Sequence, residues 1–374
     1  MTKRAAFVYD DALAEHTLSE EHPMKPIRLR YTYELLRAYG ALDVSGVTLV
    51  KPRKATREEI LSYHTLEYVN AVQMFSNRNY STNLAKFNFG PGDNPVYEGM
   101  YQAASLSSGA SMRSVELLTS GAMDAVFSIS GGLHHAMPGY ASGFCVFNDA
   151  VMAIKALLSS GMRVAYVDID CHHGDGVQHA FYATDDVLTI SLHESGTFLF
   201  PGTGFVEDMG GGKGRGYSVN LPLYPYTTDE VYLWAFREIV PPLLRAFRPD
   251  VLVTQQGVDS HYLDPITHLA LTVQGFGQVV SEFPELAPKW LALGGGGYDL
   301  QAVARSWALA FAIMSEQALP EEIPLSYTDN YRVTNLFDNS GLSFEASLYQ
   351  DARLFAEAGV KAIKNVIFPI HNVG

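Results

Sequence analysis

Six short apolar runs constrain this chain more than any other feature, because each has the length of a strand and they are separated by stretches with helical spacing. The runs are Ala5 to Tyr9, Ala125 to Ile129, Arg163 to Val167, Val187 to Leu192, Val251 to Gln255 and Trp290 to Leu293. Between them, Pro26 to Tyr39 stops at Gly40, Tyr97 to Thr119 near Gly121, Asn148 to Ser159 near Gly161, and Asp229 to Phe247 before Pro249. Stop signals and periodicity agree. Strands that are apolar throughout need cover on both faces, so the pattern predicts an α/β fold on a largely parallel sheet with helices on each side.

A chain of 374 residues is long enough for two or three domains, yet α/β chains of this size often fold as one. No repeat, low-complexity tract or Pro/Ser-rich linker divides it, and the glycine cluster Gly210 to Gly216 reads as a surface turn. One domain over 1–374 is expected, with 1–318 as its core. After Leu319 the periodicity weakens at Pro320, Pro324 and the polar run Thr328-Asp329-Asn330. It resumes as a helix from Ser343 to Ala358, which makes 319–374 a C-terminal appendage.

Hydrophobic residues make up 47% and charged residues 18%, which excludes a mostly disordered chain. The formal charge of −14, from 26 basic and 40 acidic side chains, argues against direct nucleic-acid binding and suits a cationic partner such as a lysine-rich tail. The only cysteines, Cys145 and Cys171, sit inside motif-rich segments, so no disulfide framework is expected. The N-terminus has too short an apolar run for a secretory signal, and no apolar stretch approaches the ~20 residues needed to span a bilayer. These features together predict a cytoplasmic protein that does not enter the membrane.

In an open parallel sheet, ligands bind beyond the carboxyl ends of the strands. Four such places here are unusually polar. After Ile129 comes Ser-Gly-Gly-Leu-His134-His135; after Val167 comes Asp168-Ile-Asp170-Cys171-His172-His173-Gly-Asp175-Gly; after Gln255 comes Gln-Gly-Val-Asp259-Ser-His; after Leu293 comes Gly-Gly-Gly-Gly-Tyr298-Asp. The second is the densest. By the two-residue period of extended chain, Asp168, Asp170 and His172 leave the strand toward one side. Burying like charges so closely costs several kcal/mol unless a cation or proton offsets them.

A mononuclear hydrolytic site takes about three protein ligands and keeps one position open for water. Asp170, His172 and Asp259 supply such a set. Their donors suit zinc, and also iron(II), cobalt(II) or manganese(II). Because two anionic ligands blunt the acidifying power of a cation, a separate base is needed, and His134-His135 provides one. Asp168 and Asp175 are then expected to accept from the ring N–H groups of that pair, with the pairing left open by spacing. Tyr298, carried by four glycines, can reach a metal centre and donate to the oxyanion of a tetrahedral intermediate. A phosphate-cradling loop is the poorer reading of those glycines, since neither a following Lys-Ser/Thr nor spaced dinucleotide glycines are present.

Taken together, the chain resembles the zinc-dependent histone deacetylase family, most closely its bacterial acetoin-utilisation branch. The likeness runs from His22 to about Trp307. It rests on His22-Pro-Met-Lys-Pro-Ile-Arg28, Gly-Asp93-Asn-Pro-Val-Tyr-Glu-Gly, Gly-Gly-Leu-His134-His135, Ser-Gly143-Phe144-Cys145 with Asn148-Asp149, Phe200-Pro-Gly-Thr-Gly204, Asp259-Ser-His-Tyr-Leu-Asp264-Pro and Gly-Gly-Gly-Gly-Tyr298, besides the Asp168 segment. The resemblance implies a single arginase-like α/β domain with an eight-stranded parallel sheet. It also implies zinc on Asp170, His172 and Asp259, acid–base work by His134 and His135, and an oxyanion-binding hydroxyl on Tyr298. By the same likeness Asp168 orients His134 and Asp175 orients His135. Phe144 and Phe200 wall a tube for the acyl-lysine stem, Gly143 offers its carbonyl to the amide nitrogen, and Asp93 grips the peptide backbone. Arg28 lies by an internal channel through which acetate leaves. A structural potassium ion is implied at Asp168, Asp170, His172, Ser191 and Leu192, and a second at Phe181, Thr184, Val187 and Tyr217.

Two segments depart from the family pattern. Cys171 replaces a branched aliphatic, and Glu194-Ser-Gly-Thr-Phe-Leu stands in place of the rim residues of the nuclear enzymes. Tyr298 is retained, which favours turnover. The expected activity is hydrolysis of acetyl- or short acyl-lysine in proteins. The rivals are a small-molecule amidohydrolase of the same fold, acting on acetylpolyamines, and a catalytically silent acyl-lysine binding module. A dinuclear ureohydrolase is disfavoured because Asp259 to Asp264 lacks an Asp-x-Asp pair.

Overall fold

Eight strands pair in parallel to form one sheet: β1 (Ala5–Val8), β2 (Val47–Val50), β3 (Ala125–Ser128), β4 (Val164–Asp168), β5 (Val187–Glu194), β6 (Ser218–Leu223), β7 (Val251–Gln255) and β8 (Lys289–Leu293). This computed structural model describes residues 3–80, 82–339 and 345–374, so the predicted helix start at Ser343 lies outside the described residues. The helices are α1 (Ile27–Ala38), α2 (Arg57–Leu61), α3 (Leu66–Ser76), α4 (Met100–Thr119), α5 (Asp149–Ser159), α6 (Asp175–Phe181), α7 (Asp229–Phe247), α8 (Val273–Val280), α9 (Leu300–Met314), α10 (Leu325–Tyr331) and α11 (Ala346–Val366).

The strands bury both faces, as their continuous apolar character requires. Phe7, Phe127, Ala165, Val167, Leu252 and Trp290 enter one apolar cluster. Their neighbours in sequence, among them Val8, Val126, Tyr166, Val253 and Leu291, enter another on the opposite face. The strand order is β2-β1-β3-β8-β7-β4-β5-β6. Its middle four, β3, β8, β7 and β4, are the strands whose carboxyl ends are polar in the sequence. Topology therefore gathers four segments scattered over more than a hundred residues into one row of adjacent strand ends.

All six predicted strands are present, with ends shifted by a residue or two. The two edge strands were not legible. β2 is only partly buried, and β6 (Ser-Val-Asn-Leu-Pro-Leu) carries polar residues and a proline, which edge strands tolerate because one side of the ladder is free. β6 is covered by α11, whose buried residues Ala356, Val360 and Ile363 join the same apolar cluster as Leu221 and Leu223. That helix continues eight residues past its predicted end at Ala358. The polar run Thr328 to Asn330, expected to be aperiodic, lies inside α10, which buries Tyr327 and leaves the polar side chains outward. Among the described residues, no helix is long and apolar enough to cross a membrane.

The segment beyond α10 is fastened by charge. Asp338 accepts from Arg305 Nη1 at 2.8 Å, from His261 Nε2 at 2.9 Å and from the Val273 N–H at 2.8 Å. Burial resists the ionised form, but the bonds from His261 and the charge of Arg305 prevail and hold its pKa down at about 2. Its stabilising effect is therefore full above the unfolded carboxylate value near 3.8 and fades as pH falls toward 2. Asp338→Ala would leave the buried Arg305 and His261 without their partner, and is expected to cost about 3–5 kcal/mol. Chemical denaturation at pH 7 measures this; a loss below about 1 kcal/mol contradicts it.

Candidate active site

Beyond Val167 the chain keeps its alternation. Ile169 and Cys171 point into the core, while Asp168, Asp170 and His172 share the opposite side. The polar side is stitched by carboxylate-to-amide bonds. Asp168 Oδ1 accepts the Asp170 N–H at 3.1 Å, and Asp170 Oδ1 accepts the His172 N–H at 3.0 Å. Asp259, from the loop after β7, completes a buried group of three with Asp170 and His172, whose ligand atoms lie within 4.8 Å of one another. His172 Nδ1 is 3.2 Å from Asp170 Oδ1 and 3.0 Å from Asp259 Oδ2.

The carboxylates are fixed from behind. Asp170 Oδ2 accepts Gln255 Nε2 at 2.6 Å and the Gly296 N–H at 2.8 Å, and Asp259 Oδ1 accepts the Cys171 N–H at 2.7 Å. Burial and the neighbouring charge of Asp170 raise Asp259 to about 6. His172 is raised as well: burial disfavours its charged form, but the hydrogen bonds and charges of Asp170 and Asp259 outweigh it and raise it to about 10. Such a pocket demands positive charge. Two carboxylates and an imidazole suit a divalent cation, which would take the place of the His172 proton.

Next to this triad stand His134 and His135, both nearly inaccessible. The pairing left open by the sequence is explicit in the geometry. His134 Nδ1 lies 2.8 Å from Asp168 Oδ2 and His135 Nδ1 lies 2.7 Å from Asp175 Oδ1, while the two Nε2 atoms face each other at 3.0 Å. With both Nδ1 positions donating to carboxylates, an Nε2–Nε2 hydrogen bond requires one ring to be doubly protonated and the other neutral. Burial disfavours charge on both rings. For His134 the charges of Asp168 and Asp170 outweigh it and raise the pKa to about 9; for His135 burial, reinforced by the charge on His134, lowers it to about 4. The extra proton therefore resides on His134, which donates from Nε2 to the Nε2 of a neutral His135.

Tyr298 lines the same pocket, of about 230 Å³, with Gly143, Cys145 and the triad's Asp170 and His172. Burial, with the charges of Asp259 and Asp170, holds its pKa far above the ordinary phenol value, so it stays a donor. Phe144 packs edge-on to Tyr298 at 5.7 Å, and Phe200 to His135 at 5.1 Å. Gly143 has φ +50°, and a side chain there would run into the His135 ring and crowd Phe200. Its carbonyl accepts Cys145 Sγ–H at 3.2 Å. Asp93 is exposed and lines the adjoining cavity, its carbonyl accepting His22 Nε2 at 3.2 Å.

Arg28 is not in this pocket. It lines an adjoining cavity of about 700 Å³ with an open mouth, which shares Met24 and Leu133 with the pocket. Its guanidinium donates to the carbonyls of Gly297 and Gly295 at 2.8 and 2.7 Å. Ser191 stands opposite Asp168 in the β4–β5 register, and the Leu192 carbonyl accepts the Tyr232 hydroxyl at 3.4 Å. Phe181, Thr184, Val187 and Tyr217 lie apart from the pocket, at the amino ends of β5 and β6.

Several supporting roles went unassigned in the sequence reading, although Asn148-Asp149 belongs to the motifs it quotes. Asn148 Nδ2 donates to the carbonyls of His134 and Ala136 at 3.0 and 3.1 Å, and Asp149 accepts the Gly132 and Leu133 N–H groups at 3.1 and 2.8 Å. This pair holds the dyad loop, and an Asn-Asp step opening an apolar helix is a signal that could have drawn attention to it. Tyr166 donates to Asp168 Oδ2 at 2.6 Å. Glu194 does not belong to the rim: it is buried at the end of β5, accepting from the His268 N–H and Nδ1, both at 2.9 Å. The exposed part of that segment begins further on, at Thr197, and includes Phe198 and Phe200.

Residues 22–314 match the family model of the histone deacetylase domain. The chain is 39% identical over 332 residues to the acetoin utilization protein AcuC of Bacillus subtilis (strain 168), covering 86% of this chain and 84% of that protein. It is 38% identical over 332 residues to histone deacetylase 1 of Homo sapiens, covering 88% of this chain and 68% of that one. The crystal structure of a histone deacetylase homologue from Aquifex aeolicus superposes with a TM-score of 0.86 at 29% identity, covering 96% of this chain and all of that one.

A methyl group on Gly296 would overlap the Asp259 carboxylate and press on Asp170. Gly296→Ala is therefore expected to weaken divalent-metal affinity about 10- to 100-fold. Competitive metal titration reads this, and an unchanged affinity contradicts it.

Proposed function

The chain belongs to the histone deacetylase family, and from that membership we propose a metal-dependent hydrolase that removes acetyl or another short acyl group from the ε-amine of lysine in proteins. One observation carries the reading. A buried Asp-His-Asp group, a carboxylate-backed histidine pair and a phenol meet around one pocket.

Asp170, His172 and Asp259 would hold the cation, zinc or iron(II). When bound, it polarises the acyl carbonyl and acidifies water. The protein's own groups do the rest. His135, neutral and held by Asp175, takes the proton of the attacking water. Tyr298 donates to the oxyanion of the tetrahedral intermediate, and the protonated His134 side of the dyad returns a proton to the departing amine. Phe144, packed on Tyr298, and Phe200, packed on His135, would wall the route of a lysine stem, the Gly143 carbonyl would accept its amide N–H, and Asp93 would receive the peptide backbone. Arg28 borders the cavity by which acetate leaves. Potassium held by Asp168, Asp170, His172, Ser191 and Leu192 would brace the β4 end from below, and a second ion at Phe181, Thr184, Val187 and Tyr217 would brace the far end of β5.

The negative net charge favours a lysine-rich protein segment as substrate. Purified enzyme is expected to turn over acetyl-lysine peptides at higher kcat/KM than acetylpolyamines; the reverse ranking would replace the protein substrate by a small amine. Tyr298→Phe is expected to lower kcat about 10²- to 10³-fold with metal content unchanged. Wild-type turnover in that variant would remove the oxyanion assignment.

A further inference from the structure

Tyr298 ends a run of four glycines, Gly294 to Gly297, and such a backbone cannot by itself fix the direction of the side chain that follows. The constraint comes from outside the loop. The peptide group joining Gly297 to Tyr298 is gripped at both ends by the buried side chains of Arg28 and Asp264. Its carbonyl accepts Arg28 Nη1 at 2.8 Å, and its N–H donates to Asp264 Oδ2 at 2.8 Å. Asp264 is only 8% exposed. Its other oxygen accepts the Ile266 N–H at 3.1 Å, and its own N–H donates to the His261 carbonyl at 2.9 Å, so the carboxylate is itself immobile.

We propose that Asp264 is a positioning residue for the reaction: by accepting the Tyr298 N–H it sets the peptide plane from which the phenol is aimed into the pocket. The proposal rests on Tyr298 acting as the oxyanion donor. A carboxylate in this place is costly, since burial and the nearby charge of Asp259 both push its pKa up. Accepting two backbone N–H groups, those of Tyr298 and Ile266, offsets that cost and fixes direction. Tyrosine is a long lever, so a modest rotation of the peptide plane moves the hydroxyl on the order of 1 Å, enough to lose on the order of 10²-fold in rate.

Asp264→Ala removes both acceptors. Asp264→Asn keeps the shape but offers one acceptor oxygen to two N–H groups, and it decides the matter alone if the alanine variant does not fold. Each is made in the wild-type chain and in Tyr298→Phe, and assayed on an acetyl-lysine peptide with metal content measured. Alone, each is expected to lower kcat about 10- to 100-fold with KM and bound metal within about twofold of wild type. In the Tyr298→Phe background, each is expected to add less than about twofold, because the hydroxyl it aims is gone. Losses that multiply in the double variants, a rise in KM at unchanged kcat, or loss of metal would overturn the proposal while leaving the oxyanion reading intact. Full turnover by Tyr298→Phe itself would instead overturn that reading, and the role of Asp264 with it.

Discussion

Two carboxylates held close together without solvent are the constraint on which the rest of this structure depends. Asp170 and Asp259 are fully buried, and in a low-dielectric interior neither stays ionised beside the other without compensation. The compensation is spread through the fold. Asp170 draws in an amide from β7's last residue, Gln255, and the N–H of Gly296 after β8; Asp259 draws in the N–H of Cys171 after β4. Three strand ends are thus tied to one pair of anions, and what remains unsatisfied is charge rather than hydrogen bonding. A cation answers that.

The same economy shapes the neighbours. Glycine appears where the carboxylates leave no room for a side chain, as at Gly296. The histidine pair occupies the next strand end but one, and its two carboxylates assign it a single shared proton. Phenol, imidazole pair and anions come from four adjacent strands whose order in the sheet differs from their order in the chain. No local segment contains the site, and no one of them could hold it.

Much of this was legible in the sequence because the site residues lie immediately after apolar strands, where period and polarity both change abruptly. The alternation that puts Asp168, Asp170 and His172 on one side also explains Cys171. Its side chain falls on the opposite side, packed in the core, with its thiol 3.6 Å from Glu194 Oε2. What escaped did so for physical reasons. β6 is an edge strand whose polar residues and proline mask its periodicity, and its cover comes from a helix more than a hundred residues later. Asp264, Asn148 and Asp149 lie in motifs that the sequence displays, but their roles do not show there: Asn148 donates to a remote carbonyl and the two aspartates accept remote N–H groups, which leaves no local pattern to read.

On the proposed function, one cation per chain, held by Asp170, His172 and Asp259, is the condition for hydrolysis. The most direct measurement strips the protein with a chelator and titrates zinc or iron(II) back while following acetate release from an acetyl-lysine peptide. Activity is expected to vanish on stripping, to rise linearly and to level off at one equivalent, with no recovery in Asp259→Ala. Hydrolysis by the stripped protein, or saturation only at two equivalents, would contradict it.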